Sequence, residues 1–70
     1  MATFGERLKQ LREEHELSQA AVGKAIGVSR YAVYTYEKGK AGPTMDGLIL
    51  LADFFEVSTD YLLGRTDTPR

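Results

Sequence analysis

Two apolar runs of helical spacing are separated by only three residues, Gly27-Val28-Ser29. One helix must end, the chain must turn, and a second helix must start within that interval. Gly27 supplies the left-handed backbone that closes a helix without a Cβ penalty. Val28 can plug the space between the two helices. Ser29 restarts the chain, its hydroxyl placed to accept a backbone N–H of the next helix. Gly23 lies inside the first of these helices, where glycine costs about 1 kcal/mol relative to alanine. It stands one helical turn before Gly27, so close approach by the second of them across the turn is the expected reason for it, with a neutral surface glycine as the alternative.

Similar punctuation divides the rest of the chain. Thr3-Phe4-Gly5-Glu6 has the form of a capping box, and Phe4, Leu8 and Leu11 then recur at helical spacing, giving helix 1 to about Glu14. Ser18 caps helix 2, which runs through Val22, Ala25 and Ile26. Helix 3 starts after Ser29, continues to about Glu37 and stops at Gly39. Lys40-Ala41-Gly42-Pro43 is a loop. Thr44 caps helix 4, with Leu48, Leu51, Ala52 and Phe55 on one face. Ser58 caps a short helix 5 through Leu62 and Leu63, which Gly64 ends. No strand alternation and no repeat appears. The expected fold is therefore all-α, a compact five-helix bundle over residues 1–64. Its helix-turn-helix spans about residues 18–38. Residues 65–70 read as a flexible C-terminal tail.

Composition removes whole classes of function. Seventy residues make one domain. There is no cysteine, which excludes disulfides and thiolate metal sites. With a single histidine, a zinc site would need carboxylates almost alone, and neither a metal nor a cofactor is expected. His15 has no Ser, Cys or ligand partner at usable spacing, so the chain is not expected to be an enzyme. No apolar run approaches a membrane span, and the N-terminus lacks a secretory layout. A cytoplasmic protein of a reducing compartment is expected.

The formal net charge of −1 hides an uneven distribution. Residues 18–44 carry Lys24, Arg30, Lys38 and Lys40 against Glu37 alone, a balance of +3, while residues 1–17 sum to −1 and residues 45–70 to −3. A basic middle between acidic ends can present one face to phosphates while the whole molecule stays near neutral. A chance cluster on a solvated loop is the alternative that charge alone leaves open.

Helical periodicity sorts the faces of helix 3. With Val33 facing the core, Tyr36 and Glu37 fall within about 60° of it, while Tyr31, Tyr34, Thr35 and Lys38 share the opposite arc, with Arg30 on the flank. The outward face carries no acid. Its side chains suit a DNA major groove: arginine can bond guanine bidentately, threonine can touch a base edge or a thymine methyl, and tyrosine can pack on methyls or donate to phosphate. For either tyrosine the alternative is packing against a neighbouring helix. Glu37 points inward although charged, and Arg12 edges the apolar stripe of helix 1. Either would be costly to bury alone, so an Arg12–Glu37 bridge is expected to fix helix 3 against helix 1.

The order Phe4…Leu8…Leu11-Arg12…Leu17-Ser18-Gln19…Val22-Gly23…Ile26-Gly27-Val28-Ser29…Val33…Tyr36-Glu37-x-Gly39…Pro43…Leu48…Leu51-Ala52…Phe55…Val57-Ser58…Asp60-Tyr61-Leu62-Leu63 resembles the Cro and phage-repressor family, often called XRE-like. The resemblance covers roughly residues 4–64. It implies the lambda-repressor-like five-helix fold, helix 3 as recognition helix, and binding as a dimer to a two-fold, palindromic DNA operator. It further implies a phosphate contact from Gln19, base reading from Arg30 and Tyr31 with Tyr34 and Thr35 one turn on, and a phosphate contact from Lys38. The family's Arg–Glu bridge falls on Arg12 and Glu37. Two positions depart from the pattern. Glu56 stands where the family usually has glycine after helix 4, and Tyr34 where it usually has a small residue.

With Ser29 at the start of helix 3 and Lys40 after it, the expected DNA-contacting set is Gln19, Ser29, Arg30, Tyr31, Tyr34, Thr35, Lys38 and Lys40. Helix 4 is apolar on a second side, where Leu50 and Phe54 stand four apart. With Leu63 they are expected to form a dimer interface; folding back under the tail is the alternative. The function expected is a transcriptional regulator, by default a repressor, from a bacterium or phage and associated with the nucleoid. The rival is a helix-turn-helix module that binds protein, such as an antitoxin or antirepressor. The acid-free face of helix 3 disfavours that as a sole role.

Overall fold

Five hydroxyl side chains start five helices. The computed structural model describes residues 2–70; Met1, the first residue of the expected domain, lies outside them. Among the described residues the order is α1 (Phe4–Glu14), α2 (Gln19–Ile26), α3 (Arg30–Glu37), α4 (Met45–Phe55) and α5 (Thr59–Leu62). Thr3, Ser18, Ser29, Thr44 and Ser58 each accept the N–H of the residue three positions on. Each such cap is worth about 1 kcal/mol. The Thr3 cap is reciprocal: Glu6 N donates to Thr3 Oγ1 at 3.2 Å and Thr3 N to Glu6 Oε1 at 2.9 Å.

Helices of 4 to 11 residues are too short to persist alone, so packing must hold them. Each contributes one side chain with no exposed surface: Leu8, Val22, Val33, Leu51 and Leu62. Burial of each stabilises the fold by roughly 1.5–3 kcal/mol. Leu11, Ile26, Tyr36 and Phe55 extend this core, and Val28 packs against it from the α2–α3 turn. The bundle measures 28 × 23 × 22 Å.

The α2–α3 junction follows the residues that define it. Gly27 is left-handed at φ 78°, and Val28 N donates to Gly23 O at 2.8 Å. A Cβ on Gly23 would lie 2.6 Å from the Val28 carbonyl oxygen and 3.0 Å from that of Ser29. The crowding at Gly23 thus comes from the turn backbone rather than from the body of α3. Glu56, at the end of α4, adopts the same left-handed geometry as a glycine would, at φ 56° and ψ 44°. The turn survives the departure from the family pattern, at the cost of a non-glycine residue in that region.

Two features lie outside the sequence expectations. Arg7 is buried, its guanidinium carbon 3.8 Å from the centroid of the Tyr61 ring and its Nη2 3.3 Å from Asp67 Oδ1. The last residues, expected to be a flexible tail, lie back along the domain. Besides the Arg7–Asp67 pair, Ser58 N donates to Pro69 O at 2.8 Å and Arg70 Nη2 lies 3.4 Å from Glu56 Oε1.

Candidate nucleic-acid interface

The outward face of α3 is held in place from behind by a fixed ion pair. Arg12 Nε donates to Glu37 Oε2 at 2.6 Å and Arg12 Nη2 to Glu37 Oε1 at 3.1 Å. Arg12 Nη1 also donates to the Leu17 carbonyl at 2.9 Å, tying in the start of α2. The side chains are 15% and 4% exposed, and the bond to Glu37 raises the Arg12 pKa above its ordinary value. Arg12 and Glu37, each at the edge of an apolar stripe, are thus partners. With so little water around it, the pair sets the rotation of α3 about its axis.

That rotation presents the expected residues in different ways. Tyr31 is 69% exposed and stacks on Tyr34, with ring centroids 6.0 Å apart and planes at 28°. Tyr34 is half-buried, with Lys38 Nζ 5.8 Å from its ring centroid. Thr35 Oγ1 donates to the Ala32 carbonyl at 2.7 Å, leaving its methyl and its acceptor lone pairs free. Arg30, Lys38 and Lys40 are exposed. Ser29 is engaged as the cap, accepting Ala32 N at 3.1 Å. Gln19 Nε2 donates to Glu37 Oε1 at 3.2 Å, so the residue expected to touch phosphate also reinforces the bridge.

Leu50, Phe54 and Leu63 are all exposed, at 46%, 43% and 41%. They are not on one strip. Leu50 and Phe54 share one flank of α4, and Leu63 lines an apolar cleft with Phe4, Pro43, Met45 and Leu48 on the other flank. Met45 and Ile49 add exposed apolar surface that the sequence reading did not include. His15 is placed structurally: its Nδ1 lies 2.8 Å from Leu11 O and its ring meets Phe55 edge-on at 5.2 Å. Among the described residues no group of acidic, histidine or cysteine side chains could hold a metal, and no helix is long and apolar enough to cross a membrane.

The sequence matches the helix-turn-helix domain family HTH_3 over residues 8–62. This chain belongs to the Cro and phage-repressor (XRE-like) helix-turn-helix family. It is similar to the HTH-type transcriptional regulator YobD of Bacillus subtilis, 39% identical over 94% of this chain and 59% of YobD. It is likewise 37% identical to repressor protein C2 of Salmonella phage P22, over 86% of this chain and 28% of C2. The chain thus spans less than two thirds of these relatives. Its fold matches the crystal structure of the P22 c2 repressor in complex with a synthetic operator, with a TM-score of 0.85 and 35% identity over 90% of this chain and 96% of that one.

Within this helix-turn-helix chain, one residue facing the same region went unforeseen. Lys9 of α1 lines a cleft with Arg12, Gln19, Arg30, Tyr34 and Lys38. The available signal was its position between Gly5 and Arg12 on the flank of α1 that meets α3.

Proposed function

We propose that this chain is a sequence-specific double-stranded DNA-binding transcriptional regulator that acts as a repressor. Helix α3 enters the major groove. Tyr31, Thr35, Arg30 and Tyr34 meet base edges, while Gln19, Lys38, Lys40 and the backbone at Ser29 grip phosphates. The observation that carries this reading is the face of α3: acid-free, with Arg30 and Lys38 exposed, and fixed in rotation by the Arg12–Glu37 pair. Likeness to the operator-bound P22 repressor supports duplex DNA as partner and repression as outcome.

The chain works as a homodimer on a palindromic site. Exposed Leu50 and Phe54 support an interface along one flank of α4, from which Leu63, on the opposite flank, is left out. A two-fold dimer sets the recognition helices one DNA turn apart, about 34 Å. It acts in the cytoplasm of a bacterium or a phage-infected cell, at the nucleoid.

Selection from a random duplex pool, followed by salt titration, tests the reading. An enriched inverted repeat is expected, with affinity falling steeply as salt rises and well above that for random duplex. Absence of binding at low salt would overturn it.

A further inference from the structure

The cleft between α1, α2 and α3, about 400 Å³ in volume, gathers cations from two separate helices. Lys9 enters from α1, and Arg30 and Lys38 from either end of α3. Glu37 is the one acid in its lining, and both carboxylate oxygens are taken: Oε2 by Arg12 at 2.6 Å, Oε1 by Arg12 at 3.1 Å and by Gln19 at 3.2 Å. Arg12 and Glu37 therefore cancel as a rigid floor. Lys9, Arg30 and Lys38 remain above it.

Their isolation is selective. Arg7, Arg12, Arg65 and Arg70 each lie within 4.0 Å of a carboxylate. Among the described residues Lys9, Lys24, Arg30, Lys38 and Lys40 do not, and three of these five line this one cleft. Cations held together without a counter-charge, over a low-dielectric floor, concentrate anions. The fold also explains why Lys9 is there. A Cβ on Gly5 would lie 2.6 Å from the carbonyl oxygen of Tyr36 and 2.7 Å from that of Glu37, so only glycine lets α1 press against the end of α3. Lys9 stands one turn further along that flank.

We infer that this cleft seats one backbone phosphate of the bound duplex, and that Lys9 is a phosphate-contacting residue on α1. This rests on the DNA-binding reading above. The phosphodiester oxygens would meet the Lys9 and Lys38 ammonium groups, while Arg30 and Tyr34 wall the cleft on the side of the base edges. The contact spans two helices that the Arg12–Glu37 pair already locks together. It therefore fixes the angle at which α3 enters the groove without reading sequence.

The test is a salt titration of duplex affinity with the full chain, on a selected site and on random duplex. It compares the unaltered protein with Lys9→Gln, Lys9→Arg and, as a control outside the cleft, Arg65→Gln. Lys9 is exposed and makes no hydrogen bond among the described residues, so thermal midpoints should agree. Lys9→Gln is expected to weaken both duplexes by the same factor and to flatten the log–log salt slope by about 0.9. Lys9→Arg and Arg65→Gln keep the original slope. If the unaltered protein binds with steep salt dependence but Lys9→Gln matches Arg65→Gln, the cleft is not a phosphate seat and the DNA-binding reading stands. A shift in preferred sequence for Lys9→Gln would also overturn the inference. No binding by the unaltered protein would bring down the function and this site together.

Discussion

The surfaces of α1–α3 and of α4–α5 solve opposite problems. The first leaves its exposed cations without partners and keeps acids off the outer face of α3. The second pairs its cations, Arg65 with Asp60 and Arg70 with Glu56, and leaves apolar side chains in water. An unpaired cation costs little in water and gains where phosphates approach. An exposed leucine or phenylalanine gains only when another apolar surface covers it. One small bundle thus carries a face suited to a polyanion and a face suited to a second protein surface.

The sharpest way to break this comparison is to charge the apolar half. Leu50→Glu with Phe54→Glu should leave the fold intact, since each residue is already exposed over close to half of its surface. It should abolish the proposed dimer and weaken binding to a two-half-site operator by about 10²–10⁴-fold, the factor lost when two linked sites become independent. Sedimentation gives the oligomeric state. An unchanged monomer–dimer balance would remove α4 from the interface and leave the apolar strip without a role.

Next in size is the pair behind the outward face of α3. Arg12→Ala leaves Glu37 nearly buried with only Gln19 to satisfy it, and should cost about 3 kcal/mol of stability. For a domain of this size that is a fall in thermal midpoint of roughly 12–24 °C. Specific DNA affinity should fall further than stability alone dictates, because α3 loses its fixed rotation. An unchanged melting curve would mean that the pair orients α3 without stabilising it.

These two tests also separate what sequence could reveal from what it could not. Thr3, Ser18, Ser29, Thr44 and Ser58 were legible because a cap is a local bond, three residues long. Arg12 and Glu37 were legible because each sat at the edge of an apolar stripe, where a lone charge is expensive. Lys9 carried no such mark, and Arg7, which edges the stripe as Arg12 does, gave no sign of its distant partners. Lys9 acquires its setting from Gly5 and the end of α3, and Arg7 from Tyr61 and Asp67, residues more than fifty positions away. The division of Leu63 from Leu50 and Phe54 was likewise hidden, since it depends on how α5 meets α1 and α4. The docking of residues 65–70 had no periodic pattern to announce it.

A smaller effect compares two of the left-handed helix ends. Gly27 closes α2 at φ 78° without strain, whereas Glu56 closes α4 at φ 56° with a Cβ in place. Glu56→Gly relieves that conformation and loses only an exposed contact to Arg70, so it should stabilise the protein by about 1 kcal/mol. Chemical denaturation should show a higher midpoint with an unchanged slope, and DNA affinity should not move. Gly27→Ala should do the reverse, destabilising the junction that carries α3.

The smallest effect concerns the reciprocal cap of α1. Helix α1 has a carboxylate three residues after its cap, Glu6, whereas α4 has Gly47 and α5 has Tyr61 there. The backbone bond to Thr3, then its side-chain bond, lowers the Glu6 pKa from the ordinary 4.5. A carboxyl with a depressed folded-state pKa contributes stability that is present above its unfolded value and disappears as pH falls through the folded one. Glu6→Gln keeps a side chain able to accept from Thr3 N but removes the charge. The unaltered protein should therefore melt slightly higher than Glu6→Gln at neutral pH, and the two curves should converge below the carboxylate range. Carboxylates that titrate equally in both proteins cancel from the difference, so convergence reports Glu6 alone. A gap that stayed constant into acid would show that the capping box at Thr3 acts through geometry and not through charge.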